Sequence, residues 1–110
     1  MHNETAAVIR GLNDRLRQTG IGGKILHTNG VHALGKEYMS KLVSEIMAFD
    51  DFDQGNDPYG EHDFGALTVQ ENRIFWKIDY YGLDMVSGSP DPADPKITNR
   101  VMTIMLASEY

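Results

Sequence analysis

The stretch Glu61–Tyr81, EHDFGALTVQENRIFWKIDYY, holds the only tryptophan of the chain and its clearest strand signal. Ile74, Trp76, Ile78 and Tyr80 recur on one side at a period of two, while Phe75, Lys77, Asp79 and Tyr81 take the other. That alternation, in β-favouring residue types, marks a half-buried strand. Phe64–Val69 form a second extended run, and the polar Gln70-Glu71-Asn72 between them is short enough to join antiparallel neighbours. The segment predicts a β-hairpin, with its turn at Glu71-Asn72 because asparagine tolerates positive φ.

Working outward, helical spacing recurs on the N-terminal side. Val8 or Ile9, Leu12 and Leu16 predict a helix over 5–18, with Arg10, Asp14, Arg15 and Arg17 on its other faces. Lys24–Thr28 reads as a short strand, closed by the turn dipeptide Asn29-Gly30 and a return through Val31–Leu34. Tyr38 or Met39, Leu42, Val43, Ile46 and Phe49 predict a second helix over 36–49. Beyond the hairpin, Leu83–Val86 suggests one more short strand. The connector Pro90–Pro95 is stiff and extended, since each proline disfavours helix in the residue before it. Asp94 as N-cap and Pro95 at the first helical position predict a third helix over 95–107, with Ile97, Val101, Ile104 and Met105 on one face. The order implies an α+β fold: a small antiparallel sheet of three to four strands packed against about three α-helices, in one domain of residues 1–110.

Composition narrows the function classes. A chain of 110 residues with a hydrophobic fraction of 41% is of globular type, and it has no apolar run near the roughly 20 residues a membrane helix needs. No cysteine is present, which removes thiol catalysis and cysteine zinc sites. The polar N-terminus lacks a signal-peptide core, so the expected compartment is the cytoplasm. The net charge of −6 is unevenly spread. Residues through Lys41 carry +3, and the remainder carries −9. From Glu45 to Asp63 there are acids and no lysine or arginine, a surface that repels phosphates and attracts basic partners. Direct nucleic-acid binding is therefore not expected.

Several motifs invite chemistry. Gly20-Ile21-Gly22-Gly23 lacks the G-K-[ST] or second glycine spacing of a phosphate cradle. Asp51, Asp53 and Gly55 match only part of an EF-hand loop, and a strand rather than a helix follows. No cofactor or metal is expected. Glu61-His62-Asp63, with Asp79 on the next strand, is the most reactive-looking cluster, because a histidine between carboxylates suits a general acid or base. Neighbours along a strand point to opposite sides, however, so adjacency does not make a dyad. A small hydrolase-like or metal-binding enzyme built on this cluster is the alternative reading.

The words Phe49–Phe52, Asn56–Pro58, Gly60–Gly65, Ile74–Tyr81 and Gly88–Pro95, with Leu12–Arg17 and Thr103–Ala107, resemble the bacterial domain-of-unknown-function 3768 family. The resemblance implies a small cytoplasmic bacterial protein, often carried on plasmids and other mobile elements, and brings no enzyme activity or ligand with it. The mobile-element setting and the acidic surface together suggest a non-enzymatic inhibitor of a nucleic-acid-handling defence system, of the anti-CRISPR or anti-restriction type. Such a protein would occlude a basic surface of its target with Asp50, Asp51, Asp53, Asp57, Glu61 and Asp63, anchored by Tyr59 and Tyr81. An aromatic patch would also suit homodimerisation.

Overall fold

The computed structural model describes residues 2–110. Helix α1 (His2–Thr19) leads through a glycine-rich turn to strand β1 (Lys24–His27), a single helical turn α2 (Asn29–His32) and helix α3 (Lys36–Met47). After an irregular acidic loop come β2 (Phe64–Val69), β3 (Asn72–Tyr81) and β4 (Asn99–Leu106), and a short 3-10 turn closes the chain. The fold is α+β, with three helices and a four-stranded sheet in the order β1-β4-β3-β2.

The hairpin forms as the alternation requires, with Leu67 opposite Ile74 and Gly65 opposite Trp76. Its turn lies one residue earlier than the residue types suggest. Gln70 and Glu71 both have positive φ, 47° and 72°, so the two-residue loop is of the primed type that matches strand twist. Gly65 is needed beneath the indole: a Cβ there would collide with Trp76 Nε1.

Four expectations fail outside the hairpin. Residues 99–106 form β4, not part of a third helix, and pair antiparallel with β3. Asp94 caps no helix; its Oδ1 accepts the Lys96 N–H in a local turn. The sheet is also mixed, because β1 runs parallel to β4. Leu83–Val86 is a turn, not a strand, and the chain returns to the sheet only through a bridge between Tyr81 and Gly88. The return after Asn29-Gly30 is likewise helical: Thr28 caps α2, its side chain accepting the Val31 N–H.

All three helices cover one sheet face. Leu16 of α1, Val31 of α2 and Tyr38, Leu42 and Ile46 of α3 pack on Ile74, Trp76, Ile78, Met102 and Ile104 to form the core. Tyr38 also donates its hydroxyl to the Val69 carbonyl at 2.8 Å, tying α3 to β2. The opposite face carries an aromatic group of Phe64, Phe75 and Tyr110 beside the Lys77–Asp79 ion pair at 2.9 Å.

Candidate interaction site: the acidic loop

The loop between α3 and β2 is an ordered structure held by a polar stripe of α1. Arg10, Asn13, Asp14 and Arg17 recur at helical spacing and so share one side. Arg10 donates to the Gly60 carbonyl at 2.8 Å, and Asn13 to the Glu61 carbonyl at 2.9 Å. Arg17 is only 3% exposed. Its Nη1 donates to the carbonyls of Ile46, Met47 and Phe49, and its Nη2 pairs with Asp14. One guanidinium thus gathers carbonyls at and just beyond the end of α3, where the helix supplies no i+4 N–H groups. It also lies over the rings of Phe52 and Trp76. The sequence reading set Arg10, Asp14 and Arg17 apart from the packed side; the structure turns them inward to hold the loop.

Within the loop, short side chains stand in for regular secondary structure. Asp53 Oδ1 accepts the N–H groups of Gly55 and Asn56, while Asn56 accepts from Asp53 N–H and donates to the Asp51 carbonyl. Asp57 Oδ1 accepts the N–H groups of Glu61 and His62. These are the local bonds that Asp and Asn offer in place of a helix or ladder.

His62 completes the latch. Its Nδ1 lies 2.9 Å from Asp14 Oδ1 and its Nε2 3.7 Å from Asp57 Oδ2. One ring face stacks on Phe52 at 3.7 Å between centroids. The backbone at His62 is left-handed, with φ 54°, a conformation histidine adopts more readily than most residues. With both ring nitrogens facing carboxylates and one face covered, His62 serves as a structural clasp between α1 and the loop.

Glu61 points elsewhere, into a buried network. Tyr80 donates its hydroxyl to Glu61 Oε1 at 2.8 Å and accepts from Asn13 Nδ2 at 2.8 Å. Asn13 Oδ1 in turn accepts from Arg100 Nε at 2.6 Å, and the Arg100 guanidinium lies over the Tyr80 ring. Burial raises the Tyr80 hydroxyl far above its ordinary range and lowers Arg100. The Asp63 carboxyl is pushed up, first by burial and then by the neighbouring Glu61, with Asp57 and Asp79 adding to it. Glu61 and His62 therefore diverge, Glu61 toward Tyr80 and His62 onto Asp14 and Phe52. Among the described residues no group of three or more His, Asp or Glu side chains is placed to hold a metal ion.

The eight proposed contact residues divide accordingly. Asp50, Asp51, Asp53 and Tyr59 are exposed on the loop, Tyr59 at 78%. Glu61 and Asp63 are half-buried. Asp57 is buried at 8% and committed to two backbone N–H groups, which corrects its reading as a surface contact. Tyr81 alternates away from Tyr80 to the sheet face opposite the helices, so it stands apart from the loop carboxylates.

Residues 27–109 match the sequence profile described as Protein of unknown function (DUF3768). The chain belongs to the DUF3768 family. In this DUF3768 protein the matched span includes the whole acidic loop, the hairpin and β4, whereas the Leu12–Arg17 word lies outside it. No curated protein and no solved structure matches the chain. Among the described residues no helix is long and apolar enough to cross a membrane.

Proposed function

We propose that this protein is a cytoplasmic binding module that works without chemistry, using the acidic loop to occupy a basic surface of a protein partner. The observation that carries this reading is the contrast within the loop. Asp57, His62 and Asn56 spend their polar groups on internal bonds, and Asp53 spends its Oδ1 on the Gly55 and Asn56 N–H groups, which fixes the frame, while Asp50, Asp51 and Asp53 remain exposed, as does Tyr59 on the same loop. A rigid array of carboxylates costs little ordering entropy on binding, and an exposed tyrosine is a common interface anchor. Charge of one sign held on such a frame speeds encounter with a basic surface and selects against acidic ones.

Surfaces built to hold phosphate are the natural match, because fixed carboxylates can replace the phosphates they bind. A nucleic-acid-handling complex, such as a bacterial defence nuclease, is a partner of this chemistry. The test is comparative capture from a defence-bearing bacterial lysate, with wild-type protein and the D50N/D51N/D53N variant as baits at low and moderate salt. The expected result is a nucleic-acid-binding protein retained by the wild type, weakened by salt and lost from the variant. Identical retention by both baits would overturn the reading.

A further inference from the structure

His27 ends β1 and His32 ends α2, and their rings meet through His27 Nε2 and His32 Nδ1 at 3.3 Å. The ring planes differ by 9° and the ring centres are 5.5 Å apart. The centre-to-centre distance exceeds the N···N distance by about the two ring radii, which places both nitrogens on the line between the centres. The imidazoles are therefore coplanar and end to end, their facing nitrogens sharing one proton. Both residues are exposed, and their scaffold is fixed: Thr28 caps α2 and donates to Glu109 Oε1 at 2.6 Å.

Two in-line imidazole nitrogens form a two-coordinate donor set. With metal–nitrogen bonds of about 2 Å, a linear ion needs the nitrogens near 4 Å apart, so the exposed rings have only to part by less than about 1 Å. The choice of metal follows from the surroundings. A shallow cavity of ≈ 340 Å³ beside the pair is lined by His27, His32, Gly35, Lys36 and Met39. It has no carboxylate, and Glu109, which binds Thr28 and the Leu106 N–H, is already committed. Lys36 and the amino end of α3, which lacks a side-chain cap, add positive potential. Hard divalent ions, which want carboxylate oxygen, are disfavoured there. A soft monovalent ion with neutral imidazole ligands carries half that charge and is disfavoured less, and Met39 brings a soft thioether to the same cavity lining.

We propose that His27 and His32 form a cuprous-ion site in which the ion takes the place of the shared proton. On binding, the proton between the facing nitrogens moves to the outer nitrogen of its own ring, which leaves His27 protonated on Nδ1 and His32 on Nε2, so both rings stay neutral and the site gains the single charge of the ion. This site is separate from the acidic loop and does not depend on the loop's function.

The test is an anaerobic competition titration of full-length protein with Cu(I) against a chromophoric Cu(I) chelator. An H2A background throughout removes the histidine beside the amino terminus. One equivalent is expected to bind, with H27N and H32N each weakening affinity by more than about tenfold, since even groups that only orient a ligand cost that much. H62N is expected to leave the affinity unchanged. Wild-type affinity in either H27N or H32N would overturn the site. NMR with Ag(I), a soft closed-shell surrogate, gives a second readout that needs no variant. Shifts centred on the His27 and His32 rings are expected; shifts confined to other histidines or methionines would contradict the proposal.

Discussion

Arg17 donates a hydrogen bond from Nη1 to the Phe49 carbonyl at 2.8 Å, and through this contact α1 fixes where the acidic loop leaves α3. The same nitrogen reaches Ile46 and Met47, so the loop's position depends on one buried guanidinium. The exposed carboxylates farther along are displayed by a frame that begins here.

Replacing Arg17 with Met keeps much of the side-chain volume but removes the side-chain donor to the Met47 and Phe49 carbonyls, and one of the donors to the Ile46 carbonyl and to Asp14. The cost is expected to be about 3 kcal/mol, because stranding buried acceptors forfeits their desolvation energy. Arg17→Lys should recover only part of it, since an ammonium lacks the planar fork that serves several acceptors together. Urea unfolding followed by Trp76 fluorescence measures both. A loss below about 1 kcal/mol in R17M would show that the loop is held by other means.

The hairpin turn offers a gain. Glu71 occupies a left-handed backbone position with φ 72°, which costs a residue with a Cβ about 1 kcal/mol. Primed two-residue turns favour glycine there. Glu71→Gly is expected to stabilise the protein by up to about 1 kcal/mol, less whatever unfolded-state entropy glycine adds. A lower thermal midpoint in E71G would argue that the Glu71 side chain contributes to the fold.

Stability should also respond to Asp63. Its folded-state pKa is raised, by burial first and then by Glu61, so the folded state disfavours the ionised form more than the unfolded state does. Wild-type protein therefore carries a penalty above the folded pKa, and the penalty disappears once pH falls below the unfolded pKa. Asp63→Asn is expected to raise the thermal midpoint at neutral pH, with the advantage fading as both proteins are acidified through the carboxylate range. An advantage that stays constant with pH would assign the effect to something other than this charge.

The hairpin and the first two long helices were legible in the sequence because each buries one side, which leaves a clean period. The fourth strand was not. Val101, Met102, Ile104 and Met105 are all buried, since β4 lies between β1 and β3 in the sheet. A strand buried on both faces reads as an unbroken apolar run that fits helical spacing equally well. Asp94-Pro95 strengthened the wrong choice, because the same residues that start helices also make tight turns. The site was half legible for a related reason. The exposed Asp50, Asp51, Asp53 and Tyr59 follow from composition, but nothing in the sequence separates Asp57 from its acidic neighbours. Its burial depends on Glu61 and His62 folding back onto it. Arg17 and Asn13, polar residues at core positions, gave no signal because the carbonyls they reach lie tens of positions away.

Exposed loop carboxylates are expected to drive association with a basic partner. Its most direct measurement is the association rate constant of the captured partner with wild type and with D50N/D51N/D53N across a salt series. Asparagine at 53 retains the Oδ1 that accepts from Gly55 and Asn56, so the loop frame should survive, and exposed charges contribute little to stability. The variant is expected to associate about tenfold or more slowly at low salt, with the two rates converging as the screening length shrinks toward about 3 Å near 1 M salt. Equal association rates for the two proteins at both low and high salt would contradict it.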